Sequence, residues 1–498
     1  MADAAPLVLG IDVGQTAVKA VVHDGDLRPI AVGRSVSPVD RPAPHHAERS
    51  HDALWGAVRS AIAAALAQTE RDRIAAVAIS GHGDGLHLVD AAGRGVGPAI
   101  TAMDGRAWRE AEEIATDPGR SATILQVSGQ AAGASSPGAL LLWTARNHPD
   151  RIDAAHAMVF CKDAVRLRLT GEIVTDYSDA TASFLDTGSA DWSPAVLDAY
   201  GVGGLSDLLP PLQESAATAG GVGRAAAAQT GLPEGIPVLT GLHDVHASAI
   251  GMGSLLPGRL ACVAGSFNTN GVATRRTDVD PRWQSRLSVT PDLRIAMSTS
   301  STASPTLDWA LRLLGAQDPV RRDRLFAEAA ALPLDDDVPT VLPFFAGSPP
   351  GLDASGSLSG LRGWHGPAHL IRGVLEGIAL MHHWHVSALA EAFAFEGPVA
   401  LGGGIARSGY YAELVAQALG RPVRVSLEQE PGAFGAAALA AVHLGLYEDL
   451  GHAQAQARLG PEIEPCPDSA AYWERARERF ASLAASLLPW WKERANDA

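Results

Sequence analysis

The chain has 498 residues, too many for one compact core and enough for two or three domains. Hydrophobic residues at 47% and charged residues at 19% exclude a disordered chain. A formal charge of −16 excludes a general nucleic-acid binder, which needs a cationic footprint, yet one phosphate can still be held by backbone N–H groups and a metal.

Cys161, Cys262 and Cys466 are odd in number, far apart and without a CxxC pair. Neither a disulfide framework nor a zinc ribbon is expected, and a reducing compartment fits. The first apolar run has no basic region before it and contains Asp12, unlike a signal peptide. No stretch approaches the length of a bilayer span. The expectation is a cytoplasmic protein with neither membrane nor nucleic acid as partner.

In chain order, residues 8–12, 17–22 and 30–35 read as strands, joined by turns at Gly14-Gln15-Thr16 and Asp24-Gly25-Asp26. They predict an antiparallel meander. Ser50 is placed to cap a helix running to about Gln68, with Asp52 in its first turn. A buried-looking strand over 74–80 follows, ending in Gly81-His82-Gly83-Asp84-Gly85. A meander, then a helix, then a strand is not the βαβ start of a dinucleotide-binding domain.

A similar module returns in the second half. Residues 259–264 predict a strand, Gly265-Ser266-Phe267-Asn268 a turn and 271–274 a second strand. Later come a strand over 398–401, the run Gly402-Gly403-Gly404, a helix over 409–419, a strand over 422–426 and a small-residue helix over 433–443. Two related α/β domains follow, 1–248 and 249–498. Residues 348–366 read as a loop, with 351–356 as an insertion; residues 470–488 predict a helix that stops at Pro489, before Trp490-Trp491 as a packing anchor.

Several residues can carry chemistry. Asp12, at a strand end two residues before Gly14, is either a turn-forming acid or one that orients Mg²⁺ beside phosphate-holding N–H groups. The turn at Gly265-Ser266 supplies a matching grip without an acid. Asp244, after the apolar strand 236–239, is either a helix cap or a general base for an attacking hydroxyl. Asp84, Asp104 and Arg106 follow strand-like segments, and their carboxylates suit a polyhydroxy ligand as well as loop caps and salt bridges. His382 and His385 stand one helical turn apart without a further ligand at a supporting spacing, which reads as a helix with partly exposed imidazoles rather than a metal site. The run at Gly402–Gly404 permits close approach to a ring or phosphate, or only tight packing. The helix at 433–443 reads as core.

Taken in order, these segments resemble the FGGY carbohydrate kinases, across about residues 7–450. Gly10-Ile11-Asp12-Val13-Gly14-Gln15-Thr16 is similar to the family's first phosphate loop, with Gln15 a mild departure and Lys19 where a Lys or Arg is usual. Ala264-Gly265-Ser266-Phe267 resembles the second loop, and Gly241 through Asp244 the segment bearing the catalytic aspartate. Gly402-Gly403-Gly404 with Ala406 and Ser408 resembles the adenosine-side motif, and Asp163, Leu169-Thr170-Gly171 and Thr175-Asp176 match the stretch before the hinge.

The resemblance implies an α/β fold of two ribonuclease-H-like (actin-like ATPase) domains facing across a central cleft. It implies ATP with Mg²⁺ as cofactors, Asp12 toward the metal, and Gly14, Gln15, Thr16, Lys19, Gly265, Ser266, Gly403, Gly404 and Ser408 toward the nucleotide. It puts His82, Gly83, Asp84, Asp104, Arg106 and Asp244 at a small polyhydroxy substrate, with Asp244 as base. Asp84 stands where many pentulose kinases have a histidine; Gly83-Asp84-Gly85 is similar to erythritol kinases, whereas Ser304-Pro305-Thr306 and residues 342–348 look like L-xylulose kinases. A ketopentose or a polyol is therefore implied, and a homodimer is one assembly left open. The other class is a catalytically silent sugar or nucleotide sensor of the same fold.

Overall fold

A computed structural model describes residues 5–335, 337–345, 349 and 354–496. The Gly351-Leu352-Asp353 part of the expected insertion and the end of the 342–348 segment, Ala346-Gly347-Ser348, lie outside the described residues. The chain forms two discontinuous compact units. One comprises the chain through Pro257 with Thr274–Ile295 and Glu428–Ala457; the other comprises Gly258–Ala273, Ala296–Leu427 and the chain from Arg458 onward.

The first unit is built on a seven-stranded sheet. Its main path runs Thr218–Gly221, Pro237–Leu239, Ile74–Gly81, Leu7–Val13, Ala17–His23 and Pro29–Val36, with Leu242–His243 also on Ile74–Gly81. Leu7–Val13 is central and buried at every residue, as an apolar run covered on both faces should be. It pairs antiparallel with Ala17–His23, so that Asp12 faces Lys19, and parallel with Ile74–Gly81, so that Asp12 faces Ser80. Leu9 and Ile11 join the core with Leu54, Val58 and Ile62 of the helix His51–Leu66, whose first turn is capped by Ser50.

The opposite face of the strand is presented by Gly10, where a side chain would strike the Ala433 carbonyl of the helix Pro431–His443. That helix, expected in the second half, belongs to the first unit. Its small residues let it press against Gly10 and against the helix Asp244–Gly251, where a side chain on Gly435 would strike the Ala247 carbonyl.

The second unit repeats the theme. Leu260–Ala264 pairs antiparallel with Asn268–Thr274 and parallel with Val399–Gly402. Within this unit the strands run in the order Arg294–Ser300, Asn268–Thr274, Leu260–Ala264, Val399–Gly402, Val423–Ser426 and Leu459–Ile463. Within the expected loop, Ser357–Ser359 pairs antiparallel with Thr340–Leu342. His382 and His385 lie on the helix Pro367–Ala390, and both are buried rather than partly exposed. His382 meets Asn270 Oδ1 at 2.6 Å, and His385 sits between the hydroxyls of Ser298 and Ser300 at 2.8 and 2.7 Å. These imidazoles fill a polar interior seam. The last helix, Ala470–Asn496, continues through Pro489 instead of stopping there. Proline removes one helical hydrogen bond; burial of Trp491 edge-to-face against Phe344 at 5.8 Å favours carrying the helix past it.

Candidate active site

The first corner forms at the end of the central strand. Asp12 Oδ2 is 2.8 Å from Lys19 Nζ, its cross-strand neighbour, and Ser80 Oγ donates to Asp12 Oδ1 at 3.3 Å. The negative charge of Asp12 is the largest influence raising the Lys19 ammonium above its ordinary range. Gly432 lies directly against this acid, since a Cβ there would stand 2.9–3.3 Å from the carboxylate. In the turn, Gly14 N–H donates to the Ala17 carbonyl at 3.0 Å, and Thr16 is exposed. The buried Arg49 donates to the Gln15 carbonyl at 2.7 Å and holds the turn from behind.

Asp244 is brought to the same end of the sheet by a tight turn. Gly241 has a φ of +83°, and a side chain there would strike the Ile79 carbonyl. Leu242–His243 then pairs with Ser80–Gly81, leaving Asp244 as the first residue of a helix. Its side chain keeps 34% of its surface open, and Oδ1 is 3.4 Å from His243 Nε2. Burial, and after it the charges of Asp12 and Asp84, push this carboxyl up to about 7. Beneath the turn lies a fully buried ionic network. Lys162 Nζ meets Asp163, Asp176 and Asp179 at 2.6, 3.0 and 3.0 Å, and Arg166 donates to the Thr240 carbonyl at 2.9 Å. Ser178 Oγ donates to Asp176 and accepts the His243 N–H at 2.8 Å. The aspartate therefore stands on a rigid base.

On the remaining side, Asp84 Oδ1 is 3.0 Å from Arg286 Nη2, while Arg286 Nε donates to Gln130 Oε1 at 3.1 Å. Arg286 Nη1 is buried and without a hydrogen-bond partner. Gly83 leaves room for its neighbours, since a Cβ would stand 2.5 Å from both Asp179 Oδ1 and the His243 ring. His82 is turned inward: its Nδ1 is 3.1 Å from the Asp84 carbonyl and the ring is buried. Asp104 has both oxygens occupied within the protein, by Arg106 at 2.8–2.9 Å and the Ala47 N–H at 2.5 Å, and Arg106 continues to Glu48 at 2.9 Å. Asp12, Lys19, Asp84 and Asp244 thus share one electrostatic neighbourhood, and Asp104 with Arg106 forms a salt-bridge cluster with Glu48.

In the second unit, Gly265 follows the strand Leu260–Ala264 into a turn whose Gly265 N–H donates to the Phe267 carbonyl at 3.0 Å; Ser266 is exposed. Gly403 has a φ of +97° and packs so closely on Ala264 that a side chain would strike its backbone. Next to it opens a pocket of 720 Å³, lined by Gly404 and Ser408 together with Asp308, Leu311, Arg322 and Phe326. Gly404 and Ser408 therefore line a cavity, whereas Gly403 holds the turn that shapes it.

Comparison with known proteins decides the family. Residues 7–251 match the N-terminal domain of the FGGY family of carbohydrate kinases, and residues 260–444 match its C-terminal domain. The chain belongs to the FGGY family of carbohydrate kinases. This FGGY kinase is 29% identical to the L-xylulose/3-keto-L-gulonate kinase of Escherichia coli, over 96% of this chain and 97% of that one. It is 27% identical to the erythritol kinase of Brucella abortus, over 100% and 99%. Among solved structures, xylulose kinase from Rhodospirillum rubrum superposes with a TM-score of 0.89 at 27% identity, covering 98% of this chain and 100% of that one. The fold is that of the actin-like ATPases, and kinases of this family use ATP as phosphate donor. Among the described residues, no helix is long and apolar enough to cross a membrane.

Sequence reasoning missed several residues of this FGGY kinase. Arg286 sits in the unremarkable strand Gln284–Leu287, 202 positions from the Asp84 it meets, and no local pattern signals that pairing. Lys162, Arg166 and Asp179 surround the recognised Asp163 and Asp176, and the density of charge in that short helical stretch was the available signal. Asp308 and Phe326, on the helices Ser304–Leu313 and Pro319–Ala330, had none.

Proposed function

We propose that this kinase transfers the γ-phosphoryl group of ATP to a hydroxyl of a small polyol or ketopentose, with Asp244 as general base. The observation that carries this reading is the carboxylate of Asp244 itself. It is one-third open, fixed by a buried ionic base, and has a proton affinity near neutrality. A base poised near the working pH both accepts a proton and stays available to do so.

The acceptor's hydroxyl oxygen forms the new bond to the γ-phosphorus while the bond from that phosphorus to the β–γ bridging oxygen breaks. The hydroxyl proton passes to Asp244, and ADP leaves with the electron pair. Asp84, with one oxygen on Arg286, and the unpartnered Arg286 Nη1 offer an acceptor and a donor to other hydroxyls of the same molecule. His243 orients Asp244 and is held neutral by burial.

Asp12 is the carboxylate that would hold Mg²⁺, directly or through water, and Ser80 and Lys19 fix its orientation. When bound, that ion supplies charge neutralisation on the phosphates. The pocket beside Gly404 and Ser408 supports adenosine binding by the second unit: Leu311 and Phe326 offer apolar surface, and Arg322 and Asp308 offer polar groups. A coupled ADP-release assay across erythritol, glycerol, the pentitols and the ketopentoses tests the reading. A single acceptor class should give stoichiometric phosphate ester; ADP release that no acceptor stimulates contradicts it.

A further inference from the structure

Two imidazole nitrogens and a thiol sulfur converge in the interior of the first unit. His82, His87 and Cys161 are all buried, and their ligating atoms lie within 4.8 Å of one another. The fold brings them there by register. In the antiparallel pair of Gly85–Val89 with Ala157–Val159, His87 faces Val159, and Cys161 follows two residues later as the first residue of a helix. His82 is the first residue after the strand Ile74–Gly81, at the start of the short loop to Gly85.

The ring chemistry points inward. A carbonyl can only accept, so His82 must donate through Nδ1 to the Asp84 carbonyl, which leaves the lone pair on its buried, unpartnered Nε2. Both ring nitrogens of His87 are also buried without a hydrogen-bond partner. Unpaired polar atoms buried in a protein interior are costly and call for a ligand or a water. A backbone carbonyl that fixes the tautomer of a histidine is the usual outer support of a metal-bound imidazole.

We propose that His82, His87 and Cys161 bind a thiophilic closed-shell cation, zinc(II) or copper(I), as a site independent of the phosphoryl-transfer chemistry. Two imidazoles and a thiolate select soft or borderline metals and reject Mg²⁺. Metal–ligand bonds of about 2.0–2.3 Å require the three atoms, which lie within 4.8 Å of one another, to draw in to separations of about 3.5 Å. Burial pushes the free Cys161 thiol up to about 12, so its proton is lost only when the cation binds and takes the proton's place on Sγ. No redox change is involved.

One ring, His51, stands between the cluster and the nearest surface pocket. His51 meets His87 edge-to-face at 5.3 Å and lines a surface pocket of 580 Å³ with Glu48, Arg49 and Arg168. A bound ion would tie the loop that carries Asp84 to the strand and helix behind it.

The test uses the full chain carrying Cys466→Ser, because Cys466 is an exposed thiol that could bind metal on its own. After anaerobic chelation, the protein is titrated with cobalt(II), and separately with zinc and with copper(I), against competing chelators. The expected result is saturation at one equivalent with a thiolate-to-cobalt charge-transfer band. Cys161→Ser should abolish the band, and His87→Gln should weaken binding by about tenfold or more. Zinc and copper(I) are told apart by which metal survives competition. Absence of the band in the parent chain, with binding below a tenth of an equivalent for all three metals, overturns the proposal and leaves the cavity to water. Because the readout is metal binding, a failed kinase assay does not affect it.

Discussion

Replacing Asp244 by Asn separates catalysis from stability with a single isosteric change. An acid raised from 3.8 to about 7 corresponds to about 4 kcal/mol between its two protonation states. The side chain is 34% open, so solvent screening reduces the part felt by folding to about 1–2 kcal/mol. Well below pH 3.8 both folded and unfolded chains hold the proton, and the residue contributes nothing. As pH rises toward 7 the unfolded chain ionises first, so the folded state loses relative stability, and above 7 the whole penalty is present. Asp244→Asn removes that penalty. We expect its Tm to rise by about 1–3 °C at pH 8 and to match wild type near pH 4, read by thermal unfolding in buffers of equal ionic strength. Acceptor-dependent ADP release should fall by about 10²–10⁴-fold, while wild-type kcat/KM should rise with pH through about 7. A folded variant with near wild-type turnover, or one that gains no stability at pH 8 relative to pH 4, would refute the reasoning.

Asp12→Ala should weaken the Mg²⁺ dependence of turnover, seen as a right-shifted metal titration; an unchanged titration removes Asp12 from the metal role. Arg286→Met should raise KM for the acceptor by about tenfold or more while leaving KM for ATP within about twofold, because one buried donor is lost and Asp84 is left unpaired. Gly403→Ala combines a left-handed backbone with a clash against Ala264, and should lower stability by about 1–3 kcal/mol in thermal or urea unfolding. At Gly404 an added Cβ meets open space, so Gly404→Ala should change stability by less than about 1 kcal/mol.

The hairpin around Asp12 was legible because a continuous apolar run, a glycine turn and an alternating partner are local signals. The helix Gly409–Leu419 was legible for the same reason. What a helix packs against is not local. The helix Pro431–His443 follows second-unit strands in the chain, yet Gly10 and Gly251 beneath it and its own Gly435 let it pack closely in the first unit. His382 and His385 read as partly exposed because imidazole is polar. The asparagine that meets His382 Nδ1 and the serines that meet both nitrogens of His385 lie on strands about 85–112 positions away. Pro489 read as a helix end on propensity alone, which the burial of Trp491 overrides. At the candidate site, Asp12, Asp84 and Asp244 were singled out by their flanking strands and glycines, and the fold brings them into one electrostatic neighbourhood. The cations that organise them divide: Lys19 is a neighbour across a turn, whereas Arg286 is reached only through the fold.

The central claim is that a small polyhydroxy molecule receives the γ-phosphoryl group through Asp244. The most direct measurement is phosphorus NMR of wild type and Asp244→Asn incubated with MgATP and each member of the polyol and ketopentose panel. Wild type should form one sugar or polyol phosphate ester in equal amount to ADP, and Asp244→Asn should form almost none while remaining folded. Ligand-stabilised melting without any ester, or equal ester formation by both proteins, would contradict the account.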